Sequence, residues 1–282
     1  MEPDFRISVM GVGDVQRAVD WAAAEGWNPG AQDAACFGVV DAQGFWGGWL
    51  GDRMIAAISV VNYGSDFAFL GFYIVDPEFR GQGYGLRLWE AALKHAGNRV
   101  VGLDGVVQEQ ENYRKSGFEL AWRNNRFGGV PQRLDPVPGV TVEPLMGPEP
   151  GLLALDAQVF PAARDAFWQG WLTAQGHVSL RAVEGAGTTG FATLRPCRTG
   201  YKIGPLVAQD RNVARALLAK LLTHVPDGQD VFLDVPEPNP EALALARELG
   251  LSPVFETARM YKGAVPQLET NLIYGVTSFE LG

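Results

Sequence analysis

Arg80-Gly81-Gln82-Gly83-Tyr84-Gly85 is the stretch whose residue types and spacing could do chemistry. Three alternating glycines follow a fixed positive charge. Glycine lacks Cβ and accepts positive φ, so such a backbone can curl around an anion and touch it. The flanks decide what the loop can do. Phe69 to Val75 is a short apolar run with Gly71 and Tyr73 in alternation, long enough for a buried strand. Pro77 ends it, since proline offers no ladder donor. After the loop, Leu86, Leu88, Trp89 and Leu93 recur at helical spacing. The order strand, glycine loop, helix leaves backbone N–H groups free at a positive helix end. The chemistry this suits is a diphosphate held by main chain. A plain tight turn would use the same glycines. Two nucleotide motifs are excluded: no G-x-x-x-x-G-K-[ST] occurs, and Gly85 comes one residue too early for the dinucleotide fingerprint.

A second strand is predicted over Arg99 to Leu103. A second helix then carries Gln110, Asn112, Tyr113 and Lys115 and ends at Ser116-Gly117-Phe118. Here the chain resembles the GNAT acyltransferase superfamily. Arg80-x-x-Gly83-x-Gly85 matches that superfamily's acetyl-CoA loop, and Tyr113-x-Lys115-x-Gly117-Phe118 matches its second signature. The likeness covers about Ile7 to Phe127. The wording GFYIVDPEFRGQGYG, GLDGV and NYRKSGF is closest to the YitH/HolE-like subgroup, in which a second GNAT-like half follows. The resemblance implies an α/β (α+β) fold of tandem GNAT-like domains, each a mixed, largely antiparallel sheet flanked by helices.

It also implies roles. Acetyl-CoA would be the co-substrate, with no metal. Arg80, Gly81, Gln82, Gly83, Tyr84 and Gly85 would hold its diphosphate, and main chain near Ile74 or Val75 would face the thioester oxygen. Asn112 would bond the pantetheine arm, unless it only lines a polar helix face. Tyr113 would be the acid that protonates the leaving thiolate, since a phenol with pKa near ~10 keeps its proton at neutral pH. Its bland reading is a buried ring with an exposed hydroxyl. Many family members carry a basic glutamate on the strand before the loop, but Phe69 to Val75 has no acidic residue. Asp104 and Glu109 remain as catalytic candidates, with Glu25 behind them. A water chain would also suffice. Trp27, Asn28, Trp46 and Tyr63, with Trp49, fall where the family shapes its acceptor site. Core packing is the competing fate for those aromatics. Arg259 is an odd charge in an apolar strand: it clamps an anionic part of the acceptor, or it forms an ion pair.

The elements that must position these residues come next. Phe5 to Met10 reads as a strand. Asp14 is the expected N-cap of a helix bearing Val15, Ala18, Val19 and Ala22. Phe45 to Leu50, Met54 to Val61 and Phe67 to Val75 make an antiparallel meander feeding the loop, and Phe118 to Phe127 is a further strand. Residues 1–130 are assigned to the acetyltransferase domain, 131–140 to a linker, and 141–282 to the second half. That half repeats the order strand, helix, strand, helix from Ile203 to Leu249. Aligning Val75-Asp76 with Val207-Ala208 and Gly85-Leu86 with Val213-Ala214 leaves it four residues short at the loop, and aligning Asp104 with Asp234 leaves it without the tyrosine. It reads as a diverged copy without a CoA site, or as an unrelated α/β domain. The tail Asn271 to Leu281 alternates weakly and reads as a last strand.

The chain has 282 residues and a net charge of −9. No basic stripe supports a nucleic-acid partner. No apolar run spans a membrane, and the N-terminus is not a signal peptide. Cys36 and Cys197 are the only cysteines, which points to a reducing cytoplasm rather than a disulfide framework. The three histidines are isolated and show no metal-ligand spacing. The expected partner is a small-molecule amine, with a homodimer left open. A CoA-binding sensor without turnover is the rival to the enzyme.

Overall fold

The computed structural model describes residues 4–185 and 187–282. The first half runs β1 (Phe5–Val9), α1 (Val12–Ala24), α2 (Asp33–Gly38), β2 (Phe45–Leu50), β3 (Arg53–Tyr63), β4 (Phe67–Val75), α3 (Tyr84–Ala96), β5 (Val100–Val106), α4 (Gln110–Lys115) and β6 (Glu119–Gly129). The second runs β7 (Thr141–Pro144), α5 (Pro150–Val159), α6 (Asp165–Thr173), β8 (Val178–Glu184), β9 (Gly187–Pro196), β10 (Tyr201–Ala208), α7 (Arg211–Leu221), β11 (Val231–Pro236), α8 (Pro240–Glu248), β12 (Ser252–Lys262) and β13 (Ile273–Gly275). Residues 131–140 carry neither helix nor strand.

Among the described residues thirteen strands form one sheet, in the order β1-β2-β3-β4-β5-β12-β6-β11-β10-β9-β8-β7, with β13 beside β10. Read from either end, the order is the same: five strands of one half, then the last long strand of the other. The halves have exchanged β6 and β12. Among the described residues only β4–β5 and β10–β11 are parallel; the other pairs are antiparallel. The internal copy shows in the register. Asp104 of β5 stands opposite Arg259 of β12, and Asp234 of β11 stands opposite Arg126 of β6. Each half thus completes its part of the sheet with a strand from the other. A core on one face, which includes Phe37, Phe72, Phe160, Trp171 and Phe279, also draws on both halves.

Local differences from the sequence reading have simple causes. Gly11, not Asp14, precedes α1; Asp14 lies in the first turn, where its carboxylate accepts the Gly11 N–H at 3.1 Å. β5 runs on to Val106, so Asp104 lies inside the strand rather than after it. Only three tail residues become a strand; Asn271 is exposed, and the rest is buried without strand structure. Among the described residues no helix is long and apolar enough to cross a membrane.

Candidate active site

β4 and β5 pair from Phe67–Val100 to Leu70–Leu103 and then part. The parting starts at a bulge. Ser59 of β3 stands opposite Gly71 and Ala57 opposite Ile74, so Phe72 and Tyr73 together face one residue. Phe72 takes φ +49°, a left-handed conformation unusual for a large side chain. The β4 edge beyond Leu70 has no strand partner on the β5 side, and a cavity of about 430 Å³ opens there. Ile74, Val75, Leu103 and Gly105 belong to its walls.

The glycine loop closes one end. The backbone N–H groups of residues 81 to 86 have no backbone partner; the ladder of α3 begins with Arg87 donating to Gly83. Gly81 and Gly83 hold φ of +75° and +84°, with open space where a Cβ would stand. Gly85 serves a different purpose: a Cβ there would lie 2.7 Å from the Tyr73 hydroxyl and 2.8 Å from Val75 Cγ2. It lets α3 sit close on β4. The Arg80 guanidinium is half-exposed, donates to the Val75 carbonyl at 2.8 Å and pairs with Glu25. Arg80, Gly81, Gly83 and Gly85 line the cavity; the Gln82 and Tyr84 side chains do not. Gln82 donates to the Glu78 carbonyl, and Tyr84 packs on Phe5 and Phe79.

Tyr113 lines the cavity from the β5 side. Its ring stacks on Trp89 at 5.6 Å and occupies the space a Gly105 side chain would need. That explains the glycine inside β5. Burial, reinforced by the Glu109 charge, pushes the phenol well above its ordinary pKa, so it keeps its proton. Tyr73, the next phenol, is pushed up to about 12 by burial. Asn112 lies outside the cavity and donates to Glu109 at 2.6 Å.

The carboxylates expected to act as base are engaged. Both Asp104 oxygens accept from Arg259, at 2.8 and 2.6 Å, and one also accepts from Asn124 at 2.8 Å. Burial pushes this carboxyl up, and Arg259 and Asn124 oppose that shift without cancelling it. Asp104 thus fixes β12 against β5, and Arg259 is spent on that ion pair instead of reaching for an acceptor. Glu109 accepts from Asn112, and Glu25 from Arg80.

Of the other acceptor candidates, Trp27 lines the cavity. Asn28 instead bonds Thr199 through both ends of its amide, tying the halves together. Trp46 packs beside His95 near the α3 core. Tyr63 is buried and donates to the Leu281 carbonyl at 3.1 Å. All three lie outside the cavity: Asn28 is held in its loop by Thr199, and Trp46 and Tyr63 are strand aromatics on covered faces of the sheet, which become core.

Sequence reading missed the residues that complete the walls: Phe72, Phe255, Thr257, Phe279 and Glu280. The last two come from the tail. Gly71, which has no Cβ, lets the Glu280 main chain press against β4. Glu280 is 2% exposed, and neither carboxylate oxygen has a hydrogen-bond partner. A lone acid between Phe279 and Leu281 was its one legible signal.

The corresponding place in the second half is filled. β10 and β11 pair from Tyr201–Val231 to Ile203–Leu233, and then β10 turns to β13. Val276 N–H donates to the Asp234 carbonyl at 2.9 Å, so the tail occupies the gap. The helix end that would face a diphosphate is capped by Asp210, whose carboxylate accepts the Val213 N–H at 2.9 Å. Among the described residues no cluster of three or more His, Cys, Asp or Glu side chains could hold a metal.

The comparisons agree with this geometry. Residues 15–118 match the Acetyltransferase (GNAT) family, and residues 152–275 an Acetyltransferase (GNAT) domain. Holothin acyltransferase of Pseudoalteromonas sp. (strain SANK 73390) is 34% identical over 267 residues, 93% of this chain and 90% of that protein. A solved structure from Pyrococcus horikoshii, described as an acetyltransferase, shares the fold with a TM-score of 0.83 at 21% identity, covering 99% of this chain and 96% of that one. A GCN5-related N-acetyltransferase of Sphaerobacter thermophilus gives 0.66 at 18% identity, over 95% and 100%. With both family models in sequence order and a relative alike along nearly its whole length, the chain belongs to the GNAT N-acetyltransferase superfamily as a tandem-domain acyltransferase.

Proposed function

We propose that the protein moves an acetyl group from acetyl-CoA to the amine of a small molecule, by direct attack on the thioester, with one CoA site per chain. The row of free N–H groups at residues 81 to 86, opening on a cavity that Tyr113 also lines, carries this reading. The loop would hold the diphosphate, with Arg80 beside it. The unpaired edge of β4 near Ile74 and Val75 would receive the developing negative charge on the carbonyl oxygen. Tyr113 would give its proton to the departing thiolate. Cys36 and Cys197 lie outside the cavity and are not needed as nucleophiles.

The acceptor end is walled by Trp27, Phe72, Phe255 and Phe279. Aromatic walls favour an amine on a flat apolar body over a polyamine. The relative's name, holothin acyltransferase, makes holothin the first acceptor to try. The test is thiol release from acetyl-CoA with holothin and with flat aromatic amines. Tyr113→Phe is expected to slow release roughly a hundredfold or more while calorimetric binding of acetyl-CoA stays as in the wild type. Unchanged turnover would remove Tyr113 from the mechanism. Binding without turnover of any amine would favour a sensor.

A further inference from the structure

Glu25, Asp104, Glu109 and Glu280 are the carboxylates in the cavity wall. Three are engaged, by Arg80, by Arg259 with Asn124, and by Asn112. Glu280 alone of the four has no partner, although it is only 2% exposed. The cations around it make their contacts with other groups, although Arg195 Nη2 has no hydrogen-bond partner. Arg126 holds Asp234, Arg195 faces Asp33 and the Gly204 carbonyl, and Lys202 donates to the Asn28 carbonyl. A buried carboxyl left unsatisfied costs stability and calls for a reason.

The tail is built to hold it. Ser278 Oγ accepts the N–H groups of Glu280 and Leu281, the Gly282 N–H returns to the Ser278 carbonyl, and Tyr63 grips the Leu281 carbonyl. Upstream, the same tail is pinned between β10 and β11. The second half thus delivers an acid to the β4 bulge, where the first half has none of its own.

We propose that Glu280 is the catalytic residue that receives the acceptor's N–H and takes its proton. This rests on the acyltransferase reading. The amine nitrogen forms the bond to the thioester carbon, the carbon–sulfur bond breaks, Glu280 accepts the proton lost by nitrogen, and Tyr113 supplies one to sulfur. Proton counts balance, and both side chains reset through solvent. The aromatic acceptor walls then carry one polar group suited to an amine.

Burial pushes the Glu280 carboxyl up; Asp33 adds to this, while Lys202, Arg126 and Arg195 oppose it. A base so raised is a stronger proton acceptor, and activity should rise as pH passes through its pKa. Stability should move the other way. A carboxyl raised on folding stabilises the fold fully below its unfolded pKa and loses that contribution as pH rises through the folded value.

The experiment compares wild type, Glu280→Gln and Glu280→Asp with acetyl-CoA and a panel of aniline, tryptamine and 2-aminothiazole, over about pH 5 to 9. Thermal melts and acetyl-CoA calorimetry run beside it. Glu280→Gln is expected to bind acetyl-CoA as the wild type does, to melt no lower, and to lose roughly 10²- to 10⁴-fold in kcat/KM together with the acid limb of the profile. Glu280→Asp should restore that limb in part. Near wild-type kcat/KM in Glu280→Gln, with the acid limb in place, would overturn the proposal. Failure of the wild type to bind acetyl-CoA would overturn the acyltransferase reading first. Binding without turnover of any panel amine would overturn both.

Discussion

Asp234→Asn is expected to destabilise the protein by about 3–5 kcal/mol in urea unfolding at neutral pH. Arg126 donates to both Asp234 oxygens, at 2.6 and 2.8 Å, and the two side chains are 3% and 1% exposed. The pair joins β6 of the first half to β11 of the second, so it holds the strand exchange itself. Removing one charge leaves the Arg126 guanidinium buried without its two-point partner, with Lys202 and Arg195 nearby. Those cations distinguish Asp234 from its counterpart Asp104. Although burial opposes it, they help Arg126 to hold the Asp234 carboxyl below the usual range. The sign follows: a depressed carboxyl contributes stability that is present above its unfolded pKa, near ~3.9, and is lost as pH falls through its lower folded value. Asp234→Asn should therefore lose most near neutrality and less in acid. The double variant Arg126→Met/Asp234→Leu should recover much of the loss, because a packed apolar pair replaces two desolvated charges. A loss well under 1 kcal/mol in the single variant would show that the halves are held by packing alone.

Local motifs were legible where chemistry and chain neighbourhood coincide. The glycine loop, its flanking strand and helix, and Tyr113 all follow within one βαβα run, so their spacing carried the resemblance that placed them. The match of Asp104 to Asp234 was legible too. The partner arginines were the missing half of that clue. Arg126 and Arg259 are buried charges in the last long strand of each half, and their common role appears only when each strand is seen beside the other half's aspartate. Glu280 was hidden for a related reason. An acid near the end of the chain gives no periodic signal, and its place at β4 depends on a tail threaded first through the second half. Trp46 and Tyr63 misled because position along the family pattern does not say which face of a strand is covered.

Gly83→Asp is expected to weaken acetyl-CoA binding at least a hundredfold by calorimetry, with the fold intact. Gly83 stands at φ +84° just before α3, with nothing within 4 Å of where a Cβ would be. A side chain therefore meets no clash there, and its conformational cost is modest, since aspartate and asparagine tolerate left-handed backbone better than other residues. What aspartate adds is a negative charge inside the row of free N–H groups. Juxtaposing like charges at a binding site costs several kcal/mol, and each 1.4 kcal/mol is tenfold in affinity. Gly83→Asn separates the terms, because it carries the same shape and the same backbone demand without the charge. It should lose far less. Gly85→Ala probes the other use of glycine in the loop: its Cβ would meet Tyr73 and Val75, so α3 must lift from β4 and carry the N–H row with it. If aspartate at position 83 binds as well as asparagine, the diphosphate does not sit in this row, and the three glycines serve only to seat the helix on the sheet.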